Sequence, residues 1–234
     1  MTLHLLAAGA SRGLVHRLEP RLRAETGQDL SAIFTAAGAI FDKVVAGERS
    51  DLVILTAALL ERLAEQGRLV GPIRPIGIAR TGIGVPTGHA APPIATEADL
   101  RTAFLTADAL YVPDPEISTA GVHLMTVLGA LGIAEALGAR LRPFPNGATA
   151  MRALAAAPEP RALGCTQITE IVDTPGLTVV GPLPAPLGLA TLYAAALRAD
   201  AREPEAAQTL LTWLTGADTA GLRAAEGFEP PAAA

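Results

Sequence analysis

Three times in the first 67 residues a short apolar run ends on small residues and passes at once into a helical pattern. "LHLLAAGAS" reads as a buried strand. "RGLVHRLEPRLRAETG" after it reads as a helix with Leu14, Val15, Leu18 and Leu22 on one face, a bend at Pro20 and a stop at Gly27. "LSAIFTAAGAI" is a second strand, entering a helix over "FDKVVAGE" through Ala36, Ala37 and Gly38; "SDLVILT" and "AALLERLAEQG" are a third pair. Strands that alternate with helices in this way pair in parallel, so the expected fold class is α/β.

The pattern restarts further along. Ile76 to Pro86, "IGIARTGIGVP", is a Gly-rich strand-like segment, and a loop then leads to a helix start at Thr96. "ALYVPDP", "LRPFPN" and "RALGCTQ" are three more strand candidates, and "GLTVVGPLPAPLGLATLYAAAL" reads as a return strand interrupted by prolines. The last stretch reads as two helices broken at Gly216, with Trp213 as a core anchor and a frayed Pro- and Ala-rich tail. Two similar units joined by two crossing segments, near residues 84–88 and 175–182, predict two lobes. The first takes 1–84 with 176–234 and the second 85–175, with paired hinge strands and a ligand cleft between them.

Composition narrows the chemistry. The formal net charge of −5 is spread along the chain without a basic stripe, which argues against nucleic acid as a partner. No apolar run reaches the ~18 residues of a membrane-spanning helix. A single cysteine, Cys165, excludes an internal disulfide, and the four histidines lack metal-ligand spacing, so metal-free, cofactor-free chemistry is expected. Cys165 itself reads as a small buried strand residue. The start, "MTLHLLAAGA", has no signal-peptide pattern. As written the chain is expected in the cytoplasm; it is periplasmic if Met1 stands in place of a removed signal.

"LYVPDPEISTAGVHLMTVLG", Leu110 to Gly129, raises the functional question, because it runs from a strand through two prolines into Ser118, Thr119 and a helix. The first amides of a helix have no intrahelical acceptor and lie at the positive end of its dipole, so such a junction can hold an anion. An ordinary N-cap is the other reading. The same two readings apply to Ser11 in "AGASRG". Arg80 is open between ion pairing and ligand contact, and Gln167, flanked by Thr166 and Thr169, between ligand contact and satisfaction of local backbone. His123 is either a proton shuttle or a ring packed against the sheet, and Glu170 is a second candidate base. "GIGVPTG" lacks the lysine and helix start of a phosphate loop.

On "AAGASRGLVHRLEPRLRAETG", "FTAAGAIFDKVVAGERSDLVILTAALLERLAEQGRLV", "VPDPEISTAGVH", "ALGCTQITEI" and "VVGPLPAPL", taken in order and spacing, the chain resembles the type II periplasmic-binding-protein fold. Within it, the resemblance is to the molybdate-binding-like group of solute-binding proteins. It implies a hinged, monomeric pair of lobes that closes on a small anion through hydroxyls and backbone amides, and an ABC-transporter permease as partner if the chain is exported. The implied ligand residues are Ser11, Arg12, Ala37, Gly38, Arg80, Ser118, Thr119, Asn146 and Gln167. Two positions depart from the group's pattern, since Ala36-Ala37-Gly38 stands where a hydroxyl is usual and Gln167 where a tyrosine is. Arg80 holds a place similar to that of the arginine which grips the ligand carboxylate in ionotropic glutamate receptor cores. The planar guanidinium matches a carboxylate bidentately, so an organic di- or tricarboxylate is the expected ligand, with molybdate or tungstate as the alternative. A related branch holds enzymes of the aconitate isomerase type. A second implied function is therefore cofactor-free carboxylate isomerisation, for which Ser11, His123 and Glu170 are the candidate catalytic residues.

Overall fold

The computed structural model describes residues 2–231, and the end of the Pro- and Ala-rich tail, read above as frayed, lies outside them. Among the described residues nine strands and ten α-helices alternate, as the recurring apolar runs require. The chain divides into two compact units. Unit 1 holds residues up to Ala79 and from Thr191 onward, and unit 2 runs from Arg80 to Ala190.

Unit 1 opens with β1 (Thr2–Ala8), a 3₁₀ turn at Gly9–Ser11, α1 (Arg12–Thr26), β2 (Asp29–Thr35), α2 (Ala37–Val45), β3 (Leu52–Thr56) and α3 (Ala57–Glu65). β1 pairs in parallel with β2 from Thr2 opposite Asp29 to Ala8 opposite Thr35, and with β3 on its other side. Flanked on both sides, β1 is buried almost throughout, which is why its sequence is a continuous apolar run, whereas β2 at the sheet edge alternates in exposure. α1 lays Leu14, Val15, Leu18 and Leu22 on the core and runs unbroken through Pro20. It ends at Gly27, whose φ of 67° provides the left-handed residue of a helix stop. The later part of the chain completes the unit: β9 (Ala190–Arg198) pairs antiparallel with β3, and α9 (Pro204–Thr215) and α10 (Ala220–Ala225) follow, separated around Gly216. Trp213 of α9 is a core residue, with the Arg21 guanidinium 4.3 Å over its ring.

Unit 2 is built on β4 (Leu69–Pro86), whose last residues carry it, followed by α4 (Glu97–Thr106), β5 (Ala109–Pro113), α5 (Thr119–Ala130), α6 (Ala134–Leu137), β6 (Leu141–Phe144), α7 (Gly147–Ala155), β7 (Ala162–Gln167), α8 (Ile168–Val172) and β8 (Leu177–Pro182). The strand order is β4-β7-β5-β6. β5 lies parallel to both β6 and β7, while β7 and β8 flank β4 antiparallel. Two apolar clusters form the core. One joins Ile83 and Cys165 to α4 and to Leu124, Val127 and Leu128 of α5; the other joins Tyr111 to Met151 and Leu154 of α7 and Ile171 of α8.

Three features depart from the sequence expectation, the first being that β4 begins at Leu69 where the pattern placed its start at Ile76. The return segment is two strands, β8 and β9, split by a 3₁₀ turn at Ala185–Leu187. Because β8 pairs with residues 82–86 of β4, it belongs to unit 2, and the division falls at 79/80 and 190/191 where the sequence pattern placed it at 84/85 and 175/176.

Candidate functional site

The carboxyl ends of parallel strands set where helix starts stand. In unit 1, Ala8 and Thr35 end β1 and β2 opposite one another, so the starts of α1 and α2 share one sheet edge. α3 starts at that edge too, but Thr56 caps it by accepting the Leu59 N–H at 3.4 Å. Neither α1 nor α2 has a side-chain cap. Ser11 is completely buried, and its hydroxyl donates to the Ala8 carbonyl at 2.8 Å instead of accepting from the α1 amides. Ala36 and Ala37 carry no hydroxyl at all, and both are buried, while Gly38 is partly exposed. Arg12 is the first residue of α1 and is engaged by other groups of the chain.

Unit 2 repeats the contrast. α4 starts in a full capping box made by Thr96 and Asp99, and Asn146 caps α7 by accepting the Thr149 N–H at 2.9 Å and the Thr149 hydroxyl at 2.8 Å. The α7 start is further filled by the Glu170 carboxylate, which accepts the Thr166 hydroxyl at 2.5 Å. A Cβ on Gly147 would collide with both Glu170 and Thr166, so only glycine fits the first turn there. α5 is different. Ser118 stands at its N-cap position, buried, without a cap hydrogen bond from its side chain, and Thr119 follows, partly buried. The approach to α5 is held from behind, since Asp114 accepts the Glu116 and Ile117 amides at 2.8 and 3.1 Å and its carbonyl touches the place a Cβ of Gly121 would take.

The three helix starts singled out in the sequence, at Ser11, Ala37 and Ser118, are thus all without side-chain caps, as are those of α9 and the short α6, α8 and α10, whereas α3, α4 and α7 are capped. First-turn amides without a side-chain acceptor are the groups that bind anions. Of the other expected site residues, Asn146 is occupied as a cap. Arg80 is partly buried in β4, Gln167 is buried at the end of β7, and both are engaged elsewhere in the chain, as is Glu170. His123 places Nε2 2.8 Å from the Leu187 carbonyl; a carbonyl only accepts, so this nitrogen is the protonated one and ties α5 to the 3₁₀ turn at 185–187.

Two buried hydroxyls near these positions, Thr81 and Thr169, have no hydrogen-bond partner among the described residues. The sequence drew attention to Thr169 only as a neighbour of Gln167 and passed over Thr81, although Thr81 directly follows Arg80. The thiol of Cys165 is pushed up to about 12 by complete burial, so it stays protonated and unreactive at neutral pH. Among the described residues no cluster of His, Cys, Asp and Glu suits a metal ion, and no single helix is long and apolar enough to cross a membrane.

Comparison with known proteins bears on the same chain. A family model described as a bacterial extracellular solute-binding protein matches residues 3–229. A Pseudomonas protein named aconitate isomerase is 27% identical over 236 residues, covering 98% of this chain and 88% of that protein. Among solved structures, the periplasmic molybdate-binding protein of Azotobacter vinelandii superposes with a TM-score of 0.80 at 19% identity, covering 98% of this chain and 99% of that one. The sulfate-binding protein SubI of Mycobacterium tuberculosis gives a TM-score of 0.75 at 16% identity, covering 99% and 88%. At these identities the structural likeness establishes the fold.

Proposed function

The chain belongs to the bacterial extracellular solute-binding protein family, and from that premise we propose that it binds a small organic di- or tricarboxylate. The observation that carries the reading is the set of helix starts at Ser11, Ala37 and Ser118, each lacking a side-chain cap while their neighbours α3, α4 and α7 have one. In this reading each unit offers its own contacts to ligand oxygens: the amides of α1 and α2 in unit 1, where Ser11 joins them when its hydroxyl turns from the Ala8 carbonyl, and the amides of α5 with the hydroxyls of Ser118 and Thr119 in unit 2. Arg12 and Gly38 are the further candidates in unit 1, and Arg80 and Gln167 in unit 2. Asn146 acts indirectly, by fixing the start of α7. The loss of a hydroxyl at Ala36-Ala37-Gly38 and the placement of Arg80 favour a carboxylate over a tetrahedral metal oxyanion. Family membership supports the periplasmic location, with an ABC-transporter permease receiving the ligand.

A thermal-shift screen tests this. Citrate, cis- and trans-aconitate and succinate are compared with molybdate, tungstate, sulfate and phosphate, each titrated to about a hundred times its half-saturating concentration. A ligand that binds only the folded chain adds about 2.7 kcal/mol at that excess, a shift of several degrees. Carboxylates are expected to move the transition in a dose-dependent way. A shift with molybdate or tungstate alone overturns the carboxylate assignment.

The relative named aconitate isomerase, matching 98% of the chain, favours a second reading, in which binding is followed by migration of a double bond along a tricarboxylate. That chemistry removes a carbon-bound proton and returns one elsewhere. Ser11, His123 and Glu170 are the candidate groups. Incubation with cis- or trans-aconitate in deuterated water separates the readings: interconversion with deuterium incorporation supports isomerisation, and saturable binding without either leaves a binding protein.

A further inference from the structure

We infer that the Thr81 hydroxyl is a ligand donor at the start of α5, holding one oxygen of the bound carboxylate; this rests on the carboxylate reading above. Thr81 pairs with Gln167 across β4 and β7, and Ile83 with Cys165. Residues directly opposite in an antiparallel pair share a face, and positions two apart on a strand share it as well. Ile83 and Cys165 belong to the cluster packed by Leu124, Val127 and Leu128 of α5. Thr81 and Gln167 therefore continue the α5-covered face toward the edge where β5 and β7 end and α5 begins.

The Thr81 backbone is satisfied, its N–H donating to Leu189 O at 3.0 Å and its C=O accepting from Leu183 N at 3.1 Å. Its side chain is not. Thr81 is 0% exposed, and Oγ1 has no hydrogen-bond partner among the described residues. A buried hydroxyl without a partner is a standing cost to the fold, kept where another group completes it. Beside the α5 start, whose amides and Ser118 attract negative charge, that group is a carboxylate oxygen.

The experiment is isothermal titration of the full chain with trans-aconitate, and separately with molybdate, using the wild type, Thr81→Val and Thr81→Ser. Valine keeps the shape and removes the unpaired hydroxyl, so the ligand-free melting temperature is expected to hold or rise. Affinity is expected to fall about ten- to a hundredfold, the loss of one hydrogen bond to a charged group. Serine is expected to bring affinity back to within a few-fold of the wild type. Thr81→Val binding as tightly as wild type overturns the inference, as does a weak Thr81→Val that Thr81→Ser fails to rescue. Wild type that binds molybdate but no trans-aconitate overturns the carboxylate reading instead, and the same three proteins titrated with molybdate then decide Thr81 on their own. Wild type that binds neither overturns both.

Discussion

Cys165 shows how burial decides chemistry at the scale of one residue. With the thiol pushed up to about 12 by burial alone, the nucleophilic thiolate is absent at neutral pH. Native protein is therefore expected to resist iodoacetamide for hours and to be alkylated rapidly in guanidinium chloride, which mass spectrometry reads directly. Cys165→Ala is expected to cost about 1 kcal/mol in a denaturant midpoint and to leave ligand binding intact. Asp108 is the opposite case. Its hydrogen bonds to the Arg161 side chain, the nearest at 2.5 Å, hold its carboxyl below the ordinary aspartate value of 3.8. A carboxyl held low in the folded state stabilises the fold at every pH above its unfolded value, and that contribution disappears as pH falls through the lower, folded one. Thermal melts of wild type and Asp108→Asn are expected to differ slightly at pH 7 and to converge as pH falls through the lowered, folded value, the contribution being small because the Arg161 side chain is exposed.

Among the elements, capped and uncapped helix starts predict different outcomes for substitutions that look alike on paper. Asn146→Ala removes an acceptor that the α7 amide uses, and is expected to cost about 1 kcal/mol of stability with little change in ligand affinity. Ser118→Ala removes no cap bond, and is expected to leave the denaturation midpoint within a few tenths of a kcal/mol while weakening ligand binding severalfold. Urea titrations paired with calorimetry measure both quantities on each variant. The elements themselves were largely legible: the apolar face of α1, the stop at Gly27, the helix start at Thr96 and the break at Gly216 follow from residue type and spacing. The beginning of β4 was not, because "LVGPIRPI" carries glycine and two prolines that deny it a strand signature. The site was legible only in part. A hydroxyl residue before a helix looks the same whether its hydroxyl caps, as that of Thr56 does, or turns to a carbonyl, as that of Ser11 does. Thr81 left no trace, since its importance lies in the absence of a partner.

For the chain as a whole, the repeated α/β pattern announced two units, while their boundary depended on a pairing that sequence does not display, that of β8 with β4. The path of the chain has a consequence for its synthesis. Unit 2 is one uninterrupted stretch from Arg80 to Ala190, whereas unit 1 is begun by the first 79 residues and waits for those after 190. As the polypeptide leaves the ribosome, everything unit 2 requires has emerged while unit 1 still lacks β9 and α9. Until β9 arrives, β3 has one side unpaired, an open row of amides and carbonyls of the kind that recruits strands from other chains. The residues after 190 are thus the guard of the 79 that begin unit 1, and the nascent chain is most prone to aggregate in the interval before β9 emerges.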